Sequence, residues 1–278
     1  MSERQELIVK YRQAGRNFLN TAIPLLEAQR DSAKISLYQP IADEVMGGLF
    51  ARVFRFFQTF SLDYHLWAVD MGRVVLRMML ESVFYMRFLS THNQPELYLE
   101  FQRYGIGQEK LYKMQLRKLI DEGVLKDTPE LREFIESNSD EEIEDELVNV
   151  QLKNFMDVRK VAGDAGMAND YVIHYQPDSV YVHGHWPVLR NLYLERCQEP
   201  LHRMHLQPSF GLPPLDSTLV ARAMILMGDA YDIWRERYGL EDALEPVVTA
   251  YGLEIQQAIS EADAQTSIVS DEPPSETE

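Results

Sequence analysis

The segment from Leu62 to Leu89 restricts the fold more than any other part of the sequence. It is the most apolar stretch of the chain, yet it carries charged side chains at Asp63, Asp70, Arg73, Arg77, Glu81 and Arg87. A membrane span with that many charges would be costly. The segment is therefore predicted to be a buried helix in a protein that has no membrane partner.

Four of these charges lie on one side of the predicted helix. At about 100° per residue, the side chains of Asp70, Arg73, Arg77 and Glu81 fall within about 80° of one another, surrounded by apolar positions. An unpaired charge buried in such a helix would cost several kcal/mol. We therefore expect this charged row to be paired inside the protein or to line a cleft.

The rest of the chain has helical periodicity, without internal repeats or strand-like alternation of useful length. Helices are expected at residues 3–30, 33–60, 62–90, 95–122, 141–161 and 240–260, with others beginning at Pro129 and Leu215. Kinks or interruptions are expected at Pro24, near Pro40 and Gly47–Gly48, and at Gly105 or Gly107.

Residues 169–214 are less regular, because six prolines divide them into short helices and a strap. The acidic, polar end of the chain is predicted to be disordered. The expected fold class is all-α: one helical bundle domain over residues 1–261, including the Pro-rich strap, and a disordered acidic tail over 262–278.

Composition indicates a globular protein of the cytoplasm. The chain has 278 residues, of which 45% are hydrophobic, which is ordinary for a folded domain. Cys197 is the only cysteine, so no intrachain disulfide can form, and the first ten residues lack the apolar core of a secretion signal. A reducing, cytoplasmic location is therefore predicted.

The net charge of −17 is concentrated in two segments. Residues 121–146 carry −10 and residues 261–278 carry −6, which leaves the remainder close to neutral. Such segments usually keep a protein soluble. The alternative is that one of them covers a basic site and regulates access to it.

A second polar row supplies partners for the charged row. Tyr171, Tyr175, Ser179 and His183 are each four residues apart, the spacing that stacks side chains on one helical face. Pro177 fits best as the first residue of a new helix, which would place Tyr175 before that helix. Gly184 would end the helix just after His183.

Two functional hypotheses follow if the rows face each other. In a metal-independent RNA-cleaving site, His183 would be the general acid or base, and Arg77 or Arg73 would stabilise charge on the phosphate. Glu81 would orient Arg77 or His183, and Ser179 would donate a hydrogen bond. The candidate substrate-binding residues are Arg73, Tyr175, Asp70 and Tyr104. In the other hypothesis, the rows bind a small anionic ligand without turning it over.

A purely structural interpretation stays open beside these two, in which the rows form a buried ion-pair network that fixes helix packing. No cofactor is predicted. Gly-rich phosphate loops and nucleophile-elbow motifs are missing from the sequence, which argues against common nucleotide hydrolases and esterases. A metal site made of Glu81 with His183, His185, His202 and His205 is the weaker alternative, and none is predicted. Cys197 is expected to be a structural thiol.

Four short motifs carry a resemblance to a known family: Arg77-Met-Met-Leu-Glu81, Tyr98 to Gly107, Tyr175-x-x-x-Ser179-x-x-x-His183-Gly184, and Glu199-Pro200-Leu201-His202-Arg203. Over roughly residues 60–210 the chain resembles the bacterial domain-of-unknown-function 5677 family. That family is helical and is similar in layout to the HEPN group, many of whose members are RNases in toxin–antitoxin and phage-defence systems.

The resemblance implies an HEPN-like fold, an RNase or defence role, RNA as a partner, and a homodimer or a partner protein. HEPN RNases usually carry Arg and His four to six residues apart on one helix. Here the nearest arginine before His183 is Arg159, so the arginine would have to come from the charged row, as Arg77. This departure favours a non-catalytic helical binding or scaffold protein as the alternative.

Overall fold

The computed structural model describes residues 3–34, 40–137, 157–202, 205–211, 213–216 and 218–270. Five helices form the first half: α1 (Glu3–Ser32), α2 (Pro40–Leu62), α3 (Val69–His92), α4 (Pro95–Asp121) and α5 (Pro129–Glu136). The second half has four short helices, α6 (Val158–Asp164), α7 (Ala168–Asp170), α8 (Gln176–Val182) and α9 (Trp186–Val188), and two long ones, α10 (Thr218–Tyr238) and α11 (Glu245–Ser270).

Helix α3 lies at the centre of the bundle. This helix packs against α2 and α10, and also against the short helices α6 and α8. Leu76, Met79, Val83 and Phe84 are fully buried, as expected of a helix that is apolar around most of its girth. Helix α1 lies against α2 and α11.

A close approach fixes the start of α3. Gly72 has no side chain, and a Cβ atom there would lie 2.4 Å from the Leu66 carbonyl oxygen and 2.7 Å from Leu219 Cδ1. The short 3₁₀ helix Tyr64–Trp67 and the beginning of α10 can therefore both contact α3 directly. The Trp67 carbonyl also accepts a hydrogen bond of 2.8 Å from the Asp216 N–H.

The irregular, Pro-rich region predicted at residues 169–214 packs in part against α3. Between α7 and α8 the chain forms one π-helical turn, Tyr171–Tyr175, and a second follows α9 at Leu189–Tyr193. Strands β1 (Leu194–Arg196) and β2 (Leu206–Pro208) then pair antiparallel, with Glu195 opposite Gln207. Irregular helices of this kind often occur at functional sites.

The predicted all-α architecture is confirmed, and several local predictions are wrong. Helix α2 continues through Gly47–Gly48, and α4 continues through Gly105 and Gly107. Tyr175 is helical rather than pre-helical, because the π-helical turn leads directly into α8. Helix α11 extends to Ser270, past residue 260, where the last helix was predicted to end.

Several predictions fall outside the described residues. They are most of the helix expected at 141–161, residues 138–146 of the acidic segment, Arg203 in the last of the four family motifs, and residues 271–278 of the tail. The helix predicted to begin at Leu215 is described as α10, and it buries five residues that share one face: Leu219, Ala223, Met227, Ala230 and Trp234.

Candidate functional site

The two polar rows meet where α8 crosses α3. The Arg77 guanidinium donates from Nε to Ser179 Oγ at 3.0 Å and from a terminal nitrogen to the Tyr175 hydroxyl at 2.6 Å. The Tyr175 hydroxyl donates in turn to Glu81 at 2.9 Å. Glu81 also lies 3.5 Å from the Arg77 guanidinium. The structure therefore brings together Arg77, Glu81, Tyr175 and Ser179.

Tyrosine hydroxyls surround the Glu81 carboxylate. Burial, and next the charge of Glu81, raise the pKa of Tyr175 above its ordinary value. The pKa of Tyr85 is raised in the same way, by burial first and then by Glu81 and Tyr104. Both phenols therefore stay protonated well above neutral pH and act as hydrogen-bond donors or acceptors rather than as bases.

A second cluster, one turn away, is centred on Asp178. This carboxylate is completely buried, and it accepts hydrogen bonds from Arg73 Nη1 at 2.9 Å and from Arg222 Nη2 at 2.7 Å. The Arg73 side chain is 26% exposed and the Arg222 side chain is 22% exposed. Two guanidinium groups thus share one buried carboxylate, while parts of both reach solvent.

The Arg73–Asp178–Arg222 cluster has more donors than internal acceptors. A guanidinium carries five N–H donors. Within the described part of the chain, Arg73 makes one hydrogen bond and Arg222 makes one, both to Asp178. The Nε of Arg73 is buried and has no hydrogen-bond partner among the described residues. The Arg73 guanidinium also lies 5.1 Å from the ring centre of Tyr181, a cation–π contact.

Asp70 and Tyr104 lie at the margins of these clusters. Asp70 accepts a hydrogen bond of 2.9 Å from the Tyr193 hydroxyl, which ties the second π-helical turn to the start of α3. Tyr104 packs on the core beside Tyr85 and is partly buried. Both residues are near the candidate site. The connection of Tyr104 to it is through Tyr85, whose pKa it helps to raise.

His183 does not join the Arg77 cluster. It follows the last residue of α8, its side chain is exposed, and its ring stacks on His185 with centres 5.8 Å apart. Among the described residues its side chain has no hydrogen bond or ion pair with Arg77, Glu81 or Ser179. In contrast to the predicted cluster of four, no bond among the described residues ties the His183 side chain to the other members, although the His183 N–H donates to the Ser179 carbonyl oxygen one turn earlier.

Local sequence explains how α8 is held. Pro177 lies in the first turn of α8, directly after the π-helical turn, and its missing N–H removes one hydrogen bond from this continuous stretch. Gly184 adopts a positive φ of 57°, which ends the helix in the left-handed conformation that glycine favours. Between these two residues, α8 has Asp178 as its one buried side chain among the described residues. Polar bonds therefore carry most of its attachment to α3 and α10.

Asp178 and Arg222 were missed by the sequence analysis. Asp178 directly precedes Ser179, but it lies outside the four-residue spacing that defined the second row. Arg222 lies on α10 beside the buried Ala223 and belongs to no row or motif of the sequence. A charged residue at the edge of an apolar helical face was the signal that could have identified it.

The described residues do not form a recognisable metal centre. No group of three His, Cys, Asp or Glu side chains among them is arranged to hold a metal ion. Cys197 is a partly buried free thiol at the end of β1. The chemistry of the region is therefore that of guanidinium, carboxylate, hydroxyl and imidazole groups.

Comparison with known proteins identifies the family. A family model described as a family of unknown function, DUF5677, matches residues 43–200, which is more than half of the chain. This chain belongs to the DUF5677 family. The family region includes α3, α8 and His183, but Arg222 on α10 lies outside it.

No curated protein and no solved structure matches the chain. None of the helices among the described residues is both long enough and apolar enough to cross a membrane.

Proposed function

We propose that this DUF5677 protein binds a phosphate-bearing anion at the Arg73–Asp178–Arg222 cluster. The supporting observation is that two guanidinium groups are fixed by one completely buried carboxylate and still expose about a quarter of their side chains. A guanidinium recognises phosphate in a bidentate, planar manner. Two of them held in place lose little side-chain entropy when the anion binds.

Local charge supports the same proposal. Arg73 and Arg222 outnumber the carboxylate between them, although the whole chain has a net charge of −17. A ligand oxygen would accept hydrogen bonds from donors that have no acceptor among the described residues. Arg77 contributes positive charge next to this cluster, but it is bonded to Ser179 and Tyr175 and paired with Glu81, so its role is to hold α8 against α3.

The neighbouring rings favour a nucleotide or an RNA phosphate over a bare inorganic anion. Tyr181 lies beside Arg73, and Tyr193 lies beside Asp70 at the next turn of α3. Aromatic rings next to a phosphate site provide surfaces on which a base can stack. The ligand class that fits is therefore a phosphate with an attached base.

A thermal-shift titration with inorganic phosphate, nucleoside monophosphates and triphosphates, and a short single-stranded RNA distinguishes the sources of that phosphate. Ligand at about 100 times its dissociation constant adds about 2.7 kcal/mol of stability. The compound that raises the melting temperature most is the type of ligand that the site prefers. This rise should be strongly reduced in Arg73→Gln and Arg222→Gln, each compared with its own unliganded melting temperature, and it should be kept in the exposed control Arg55→Gln. Equal shifts in all four proteins would refute the proposal.

A second candidate function is metal-independent RNA cleavage, in a toxin or a phage-defence effector. It is favoured by the exposed imidazoles of His183 and His185, which directly follow α8, the helix that carries Asp178. Imidazole can act as general acid or base near neutral pH. Incubation of RNA with the protein in EDTA should give fragments that disappear in His183→Ala. Intact RNA with wild type, or equal cleavage by His183→Ala, would reject this candidate.

A further inference from the structure

The hairpin made by the second half of α4 and by α5 has no buried residue. From Gln108 to Ser137, every residue is partly or fully exposed. The two helices contact each other: the Tyr112 and Phe134 rings lie 6.2 Å apart, and Lys113 Nζ donates to the Ser137 carbonyl oxygen at 2.7 Å. The first half of α4, in contrast, buries Tyr98 and Gly107 against the body.

This hairpin exposes more apolar surface than two helices can cover by themselves. Met114 is 55% exposed, Tyr112 53%, Val124 67% and Phe134 42%. A helix that is apolar along one face must bury that face against another element, and a single pair of helices leaves part of it uncovered. A surface of this kind marks a site of protein–protein contact.

The charges of the hairpin indicate which partner fits. Residues 108–121 of α4 contain four basic residues and two acidic residues, whereas α5 contains three acidic residues and one basic residue. A two-fold axis would place α4 of one copy against α5 of the other, and the reverse. Basic and acidic helices would then face each other twice, whereas α4 packed on α4 would bring like charges together.

The size of the surface suits a second copy as well. Residues 108–137 correspond to the roughly 20–30 residues that each partner contributes to an interface of standard size. Four helices packed around the exposed apolar side chains would form an antiparallel bundle with its own core. We infer that this hairpin is a homodimer interface, in which α4 of each copy packs against α5 of the other.

Charge reversal on the full-length chain tests this inference. Arg117→Glu with Lys118→Glu makes α4 acidic, and Glu130→Lys with Glu133→Lys makes α5 basic. Light scattering after size exclusion should give a dimer for wild type and a monomer for each double variant alone. A mixture of the two double variants should dimerise again, since the acidic α4 of one meets the basic α5 of the other. Circular dichroism melts confirm that the variants are folded.

An apolar variant, Met114→Glu, should also be monomeric. Three results would overturn the inference: a monomeric wild type at all concentrations, dimers that survive both double variants and Met114→Glu, or a mixture that stays monomeric. A monomeric wild type whose hairpin amides are protected from hydrogen exchange would show instead that another part of the same chain covers the surface. The outcome is independent of whether an anion binds at the arginines.

Discussion

At the scale of single residues, Asp178 is the carboxylate on which the candidate site depends. It is completely buried and has arginine on both sides, so its charge is compensated twice over. A buried ion pair adds little net stability compared with apolar packing, but removing one partner leaves an uncompensated charge. Asp178 therefore has a large effect when it is mutated, whatever ligand the arginines bind.

Asp178→Ala should lower the free energy of unfolding by about 3–5 kcal/mol, because Arg73 and Arg222 then lose their shared partner and repel each other. Urea denaturation monitored by circular dichroism measures this change. Asp121→Ala, which removes an exposed carboxylate at the end of α4, is the matched control and should stay within about 0.5 kcal/mol of wild type. Equal stability of the two variants would mean that the cluster does not hold α8.

Removing the charge of Asp229 should raise stability, whereas removing that of Asp178 should lower it. Burial first, and then the nearby Asp232 and Asp170, raise the pKa of its carboxyl above the ordinary value, against the opposing effect of Arg87. An acid whose pKa is raised in the folded state loses its contribution to stability as pH rises through that pKa. Asp229→Asn should therefore have a higher melting temperature than wild type at pH 7, and the difference should shrink at pH 3. A lower melting temperature at pH 7 would contradict this.

The charged row on α3 could be predicted from sequence because its helical spacing is unbroken, and the need for buried partners follows from the cost of desolvation. Its partners could only partly be predicted. Tyr175 and Ser179 share a regular spacing, so they were found, whereas Asp178 and Arg222 belong to no row. His183 continues the same spacing, but it lies just after α8 and before Gly184, its side chain is exposed, and among the described residues it makes no bond to Arg77.

At the scale of elements, tertiary packing overrides the local tendency of glycine to interrupt helices. Gly47–Gly48 was expected to break α2, yet the helix continues, since α1, α3 and α10 all pack along it. A glycine in a helix interior is less favourable than alanine by about 1 kcal/mol. The burial of several large side chains of α2 offsets this cost. Sequence can therefore place a helix more reliably than it can place the interruptions.

Two glycines should respond in opposite ways to alanine. Gly72→Ala should lower the free energy of unfolding by about 1–3 kcal/mol, since its Cβ would overlap the Leu66 carbonyl and the Leu219 side chain. Gly48→Ala is the control in α2, where a Cβ would meet no atom within 4 Å. It should raise stability by about 0.5–1 kcal/mol through helix propensity. Stabilisation by Gly72→Ala would show that the 3₁₀ helix and α10 do not approach α3 this closely.

At the scale of the whole molecule, several buried tyrosines make stability depend on alkaline pH. Burial, and next the charge of Asp43, raise the pKa of Tyr238 to about 12, and burial also raises the pKa values of Tyr85, Tyr175 and Tyr251. An unfolded tyrosine ionises near pH 10. Above that pH the unfolded chain releases protons that the folded chain retains, so folding becomes less favourable as pH rises.

The free energy of unfolding should therefore fall as pH rises from about 10 to 12, the interval between the ordinary pKa of tyrosine and that of folded Tyr238. Urea denaturation at a series of pH values measures the slope. Tyr238→Phe should make the slope shallower, whatever its effect at neutral pH. An unchanged slope in this variant would mean that Tyr238 ionises as easily in the folded protein as in the unfolded one.

Binding of a phosphate-like anion by Arg73 and Arg222 can be tested directly in a crystal. The most direct measurement is the anomalous X-ray scattering from a crystal of the full chain soaked in tungstate, a heavy analogue of phosphate. We expect a peak within about 4 Å of both guanidinium groups, the range of charge-assisted contacts. A tungstate peak bound at another site, with none between Arg73 and Arg222, would contradict it.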